Sequence, residues 1–294
     1  MKDYFIIEIF PKLGHSFTDI EGQMKFNFEK RECALDIKKE PCELKIATGS
    51  QGFTSFPQYC PTNLYAEKNH NETNPFTIVE KICDVLSLAT GNHIAYFTSR
   101  ISEYSHFSGW GITKELPLLS HRGSLKHRNS NSIFLDLDLL NKIIEKVKSP
   151  QYKARIMASL HMNRLAKYKA FSHITEAITD CVNSLEALYM QEKNNRQDNI
   201  DKNIIPNAEN KTKAMKQFLN KYYTGNKNDL DFIKKIDPYK IRSAYLHRGE
   251  LLEPTSGDIS YLTVTLEGSE KFLTYNNFYK VVLSTILNFV LNAK

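Results

Sequence analysis

The sequence predicts an α+β chain, with a strand-rich N-terminal domain over residues 1–137 and an all-α helical bundle over 138–294. Three observations carry this expectation. Residues 1–65 are rich in β-branched and aromatic types and alternate apolar with polar positions. From about Asp138 onward the apolar residues recur at helical spacing. Between these regions, residues 106–132 are rich in Gly, Ser and His and read as loop.

YFIIEIF near the N-terminus is β-branched and aromatic, and MKFNFE alternates as a half-buried strand should. CALDIKKEPCELKIATG reads as two strands joined around Glu40-Pro41, with Gly49 ending the second. SQGFTSFPQYCPTN, punctuated by Gly and Pro, reads as loop or edge, and polar KNHNETNP (68–75) as a separator. FTIVEKICDVLSLATG is a helix that Gly91 can stop. HIAYFTSRISEYSHF fits strand and helix equally. LDLLNKIIEKVKS, YKARIMASLHMNRLAKYKA and SHITEAITDCVNSLEALYMQ are helices. In the last, Ile174, Ala177, Ile178, Cys181, Leu185 and Leu188 form one apolar stripe, and Ser172 or Thr175 can start it. Residues 191–210 are charged and Asn-rich, which predicts a loop. NKTKAMKQFLNKYY is helical, and DLDFIKKIDPYKIRSAYLHRG is helical with an interruption at Pro238. SGDISYLTVTLEGSE reads as hairpin or loop, and NNFYKVVLSTILNFVLNAK as the last helix.

A hydrophobic fraction of 41% in 294 residues supplies ample core and excludes a disordered chain. The net charge of +6 leans towards anionic partners such as nucleic acid without specifying one. The five cysteines, Cys33, Cys42, Cys60, Cys83 and Cys181, are scattered and form no CxxC pair. A disulfide framework or a structural zinc site is therefore not expected, and reduced thiols in a cytoplasm are. MKDYFIIEIFPKLG has too short an apolar core for a signal peptide. VVLSTILNFVL (281–291) is about half the length that spans a bilayer. The expectation is a cytoplasmic protein with no membrane partner.

PYKIRSAYLHRGELLEP (238–254) places Arg242, His247, Arg248 and Gly249 in an otherwise apolar run. One reading is a helix end: His247 and Arg248 complement the negative end of the helix dipole, and Gly249 takes the left-handed angle beyond it. The other is a site for RNA cleavage. Residues five apart on a helix differ by about 140° in direction and about 7.5 Å along the axis, so Arg242 and His247 do not share one narrow face. Attack by a ribose 2′-OH needs a base for its proton and an acid for the leaving 5′-oxygen. One imidazole does not easily serve both in a single step. Two copies of the helix meeting across a two-fold axis would supply two histidines and two arginines. Imidazole suits either role, and a guanidinium holds phosphate oxygens and offsets the charge growing in the transition state. No metal or cofactor is needed for this chemistry.

The motif's context resembles the Apea-like branch of the HEPN superfamily of helical domains. YKIRSAYLHRG (239–249) has the form R-x4-H with the preceding Tyr, the Arg-Ser pair and a nearby Gly, and CVNSLEALYM (181–190) precedes it as in that branch. MASLHMNRLAKYKAFSH is similar to its lead-in helix. The resemblance covers residues 138–294. It implies a helical bundle that dimerises around the motif and a metal-independent endoribonuclease, with Arg242 and His247 catalytic. It also implies RNA as substrate, a homodimer, a role as a toxin or in antiviral defence, and an antitoxin or activating trigger as further partner. Arg248 departs from the pattern, which runs His-Gly. It either shifts the helix end or adds a phosphate contact. Some members keep the bundle without the activity, so a non-catalytic dimerisation or RNA-binding module is the alternative.

Ser243 either touches substrate or back-bonds to its own helix. Tyr239 and Tyr245 stack on a base or belong to the core. Glu186 is a polar member of the site, a surface charge or an arginine partner. HRGSLKHRN (121–129) is a phosphate-gripping loop or a solvated one. His161 and His173 lack a matching ligand partner. The N-terminal domain carries no catalytic signature, and its position suits a sensor or substrate-recognition role.

Overall fold

The computed structural model describes residues 4–10, 15–17, 22–37, 42–47, 53–59, 62–69, 76–96, 131–133, 135–148, 153–170, 173–196, 208–249 and 270–292. Two compact units result, Met1–Ile144 and Glu145–Lys294. The chain is α+β: strands occupy the first unit and helices dominate the second. The division falls inside a helix, past the 137/138 boundary expected from composition.

In the first unit, β1 (Tyr4–Phe10), β3 (Gly22–Phe28), β4 (Arg31–Ile37), β7 (Thr62–Glu67) and β8 (Ala95–Tyr96) form an antiparallel sheet in the order β3-β4-β7-β1-β8. Strand alternation sets the register. Met24, Phe26, Phe28, Cys33, Leu35 and Leu64 are all buried on one face. The β3–β4 hairpin turns through Glu29 and Lys30, both at positive φ (50° and 65°), as its tight two-residue turn requires. Glu29 then pairs with Lys81 at 3.1 Å on α1 (Phe76–Thr90), which ties that helix to the hairpin. Tyr96 donates to Glu80 of the same helix at 2.8 Å. Gly91, at φ 66°, follows α1 where the sequence places its stop.

The strand β7 was not expected, because its six residues lie between a Pro-rich segment and a polar one. Thr62, Leu64 and Ala66 nevertheless alternate with half-buried neighbours, and β7 pairs with both β4 and β1. The stretch read as loop or edge contains β6 (Phe53–Tyr59), paired with β5 (Cys42–Ala47). Pro57 falls at a register shift in that ribbon, where no ladder N–H is required of it. β2 (His15–Phe17) pairs in parallel with β9 (Asn131–Ile133), so the loop read over 106–132 ends in strand. The doubtful segment after Asn92 begins as strand β8, and residues 121–129 lie outside the described residues.

Helix α2 (Leu137–Val147) is capped by Asp136, whose carboxylate accepts from the backbone N–H of Asp138 (2.9 Å) and Leu139 (3.1 Å). The second unit is built on α3 (Lys153–Lys169) and α4 (Ile174–Arg196), which pack along each other. All six residues of the expected α4 stripe are buried. α4 also runs on to Arg196, so the loop read from 191 starts as helix. α5 (Ala208–Tyr222) and α8 (Glu270–Asn292) close over α4, with Phe218, Tyr222 and Phe289 in one aromatic cluster. α8 begins six residues before the expected Asn276, and Tyr275 in that added turn is fully buried and donates to the carbonyl of Ala166 at 3.0 Å. No helix among the described residues is long and apolar enough to cross a membrane.

Candidate functional site

The expected interruption at Pro238 separates α6 (Lys227–Ile236) from α7 (Pro238–Arg248). Proline cannot donate to the helical ladder, but at the first helical position no donor is needed. Asp237 ends one helix and starts the next. Its backbone is left-handed at φ 44°, and its N–H reaches back to Ile233. α7 ends at Gly249, φ 66°, whose N–H donates to the carbonyl of Tyr245 at 3.0 Å. Left-handed backbone suits a residue without Cβ. The capped helix end is therefore present, with His247 and Arg248 in the last turn.

α7 packs on α4 through Tyr239, Arg242 and Tyr245, three residues apart and so on one side of the helix. Arg242 is held firmly. Its Nε donates to Asn183 Oδ1 at 2.6 Å, and its Nη2 lies 3.2 Å from Glu186 Oε2. Its guanidinium sits 5.5 Å from the centre of the Tyr239 ring. Glu186 Oε1 also receives Lys211 Nζ of α5 at 2.9 Å, so one carboxylate gathers cations from two helices. Both Arg242 and Glu186 are largely buried, with side chains 17% and 18% exposed. Of the readings open for Glu186, the arginine partner is the one realised. Tyr189, one turn further along α4, is buried and its hydroxyl has no hydrogen-bond partner among the described residues. Burial, and then the nearby Glu186 carboxylate, push its phenol well up.

His247 does not join this group. It is exposed and bonds to no described residue. Helical periodicity turns it about 140° from Arg242, onto the side facing away from α4. Lys240 lies on that same side and is exposed, as is Arg248. Ser243 is half-buried, and among the described residues its hydroxyl makes no bond to the preceding turn, so the expected back-bond is absent. Tyr239 is buried, as a core residue would be. Leu246 is 51% exposed beside His247. His161 is half-buried within α3, and His173 is exposed just before α4.

Tyr245 leads to a second polar cluster. Its hydroxyl donates to Glu176 Oε1 at 3.2 Å, while Lys169 of α3 lies 3.4 Å from Glu176 and 2.9 Å from Asp180. Glu176, Asp180, Asn183 and Glu186 thus form a polar stripe on α4 at spacings of four, three and three. Asn183, Lys211, Lys169 and Asp180 were not anticipated. For Asp180 and Asn183 the signal that could have found them was polar residues recurring at helical spacing beside the apolar face of α4; Lys169 and Lys211 come from other helices and carried no such signal.

Burial raises the pKa of Asp180, and Lys169 only partly opposes it. Burial pulls the Lys169 ammonium the other way, but Asp180 and Glu176 outweigh it and raise its pKa. A carboxyl whose folded pKa is raised holds its proton more tightly in the folded state. Its contribution to stability is greatest below its ordinary 3.8 and falls as pH rises through the raised value. Asp180→Asn should remove that fall. Urea unfolding at pH 3 and pH 7 should show the variant gaining stability relative to the parent as pH rises. A relative loss at pH 7 would mean that the ion pair with Lys169 outweighs burial.

No protein-family model, characterised protein or solved structure matches the chain.

Proposed function

We propose that the helical unit is a HEPN-like, metal-independent endoribonuclease that cuts as a homodimer. The observation supporting this most is the division of labour on α7: Arg242 is oriented by Asn183 and Glu186, while His247 is left exposed without a described partner at the capped helix end. A guanidinium fixed in direction is suited to phosphate oxygens. An exposed imidazole at a helix end is suited to proton transfer.

The reaction follows from these groups. One His247 accepts the proton of the ribose 2′-OH as that oxygen attacks phosphorus. The bond from phosphorus to the 5′-oxygen breaks, and the His247 of the partner subunit protonates the leaving oxygen. The products are a 2′,3′-cyclic phosphate and a 5′-hydroxyl. Arg242 offsets the added charge on the phosphorane. Arg248 and Ser243 stand beside His247 as substrate contacts. Tyr245 is committed to Glu176 and so supports the helix. In this reading the chain is cytoplasmic, and its effect on cellular RNA fits a toxin or defence effector restrained by an antitoxin or a trigger, with the N-terminal unit as the recognition element.

The test is incubation of the protein with single-stranded RNA in excess EDTA, alongside its mass in solution. Cleavage with cyclic-phosphate ends by a dimer is expected. A strictly monomeric protein, or loss of cleavage in EDTA, would remove the proposal. The second reading, a non-catalytic dimerisation or RNA-binding module, draws on the same Arg242 contacts, since an arginine already paired with Glu186 also serves as a packing element.

A further inference from the structure

Positive charge is concentrated in one part of the chain. Residues 208–249 contain ten Lys and Arg against four Asp and Glu, a net of +6, which equals the net charge of all 294 residues. This segment is α5, α6 and α7. Two of its acids are engaged locally: Asp231 pairs with Lys234 at 2.9 Å, and Asp229 accepts from Tyr223. Neither α5 nor α7 has an Asp or Glu among its described side chains.

The cations are also arranged. α5 and α7 both pack on α4, and Lys211 and Arg242 meet at Glu186 between them. Each helix therefore turns one side towards α4 at Glu186 and its opposite side away from it. Measured from Lys211, Lys213, Lys216 and Asn220 are rotated by about 200°, 140° and 180°, so they point away from α4. Measured from Arg242, Lys240 and His247 are each rotated by about 140–160° and do the same. Lys213, Lys240 and His247 are exposed and Lys216 is half-buried. Lys213, Lys216 and Lys240 form no ion pair with a described residue.

We infer that these outward faces of α5 and α7 form a surface that follows the phosphate backbone of single-stranded RNA and delivers it to His247. Unpaired lysines interleaved with Gln217, Asn220 and Ser243 suit phosphate and sugar contacts. The α5 part has no apolar residue at these positions, which a membrane-lying helix would need. The inference rests on the nuclease reading for its direction towards His247, but the surface is testable separately.

The experiment uses the full chain carrying His247→Ala, so that RNA survives, and a fluorescein-labelled mixed-sequence single-stranded RNA. Anisotropy titrations at several salt concentrations compare it with the same protein also carrying Lys213→Glu, Lys216→Glu and Lys240→Glu. A control carries Lys25→Glu, Lys142→Glu and Lys280→Glu, all exposed and all outside the surface. Each phosphate contact contributes about 0.7 to the salt slope for single strands, so the first triple variant should lose about 2 in slope and at least about tenfold in affinity. The control should change little. Equal losses in both variants, no loss in the first, or binding to anionic vesicles in place of RNA would overturn the surface. Lysine-dependent binding without cleavage by the parent protein would keep the surface and remove the nuclease. Cleavage by the protein that keeps His247, if indifferent to the same three lysine substitutions, would do the reverse.

Discussion

The His247→Ala protein is expected to fold as the parent does and to lose RNA cleavage by about 10²–10⁴-fold, the range that positioned acid–base groups supply. Both halves of this result follow from where the side chain lies. His247 is exposed in the last turn of α7 and bonds to no described residue, so its removal leaves no cavity and no buried orphan. An exposed substitution of that kind costs within about 0.5 kcal/mol. The helix end stays fixed by Gly249, whose N–H reaches the carbonyls of Ala244 and Tyr245 independently of the imidazole. The loss should be larger than halving, because in a two-fold site each variant chain removes one acid or base from every centre. A mixed dimer of parent and variant chains therefore retains no complete pair, and mixing the two should depress activity below the parent's share. Cleavage in EDTA at the parental rate by the His247→Ala protein would end the assignment and leave the non-catalytic module. Growth of expressing cells gives an independent check, with slowing by the parent and relief by the variant.

Secondary structure was legible wherever one residue period dominated. The stripe on α4 from Ile174 to Leu188 is buried as its spacing requires, and the stop at Pro238 is a true break between helices. β7 was not legible, because burial on one face only needs Thr62, Leu64 and Ala66, and six residues beside Pro61 carry little signal. The extension of α4 to Arg196 was hidden for another reason. Its last residues are polar in sequence, so no apolar period announces that the helix continues through them. At the candidate site, the rotation between Arg242 and His247 follows from helix geometry alone, and the separation seen agrees with it. The partners of Arg242 do not follow from that geometry. Asn183 and Glu186 reach it from a helix remote in sequence, Lys211 joins Glu186 from another, and nothing in one chain's local pattern specifies which helices meet.

Arg242→Ala is expected to lower both stability and cleavage, and Arg242→Lys to separate them. Alanine removes the donor to Asn183 and one of the two cations on Glu186, in a place where both side chains are mostly buried. Leaving a buried acceptor unpaired costs about 1–3 kcal/mol. Lys211 remains to hold Glu186, which places the loss towards the lower part of that range. A domain with ordinary stability of about 5–15 kcal/mol remains folded after such a loss, so a fall in cleavage cannot come from unfolding. Lysine keeps the charge opposite Glu186 and recovers part of the stability. It cannot reproduce the planar fork that bonds Asn183 and faces Glu186 while leaving a further N–H edge for a phosphate. If Arg242 acts on substrate, the lysine variant should be nearly as stable as the parent yet cut RNA at least about 10²-fold more slowly. If Arg242 only pins α7 to α4, cleavage should track folded protein and return with the lysine. Urea unfolding and initial cleavage rates on the same preparations distinguish the two, and cleavage restored in step with stability would reduce Arg242 to a packing residue.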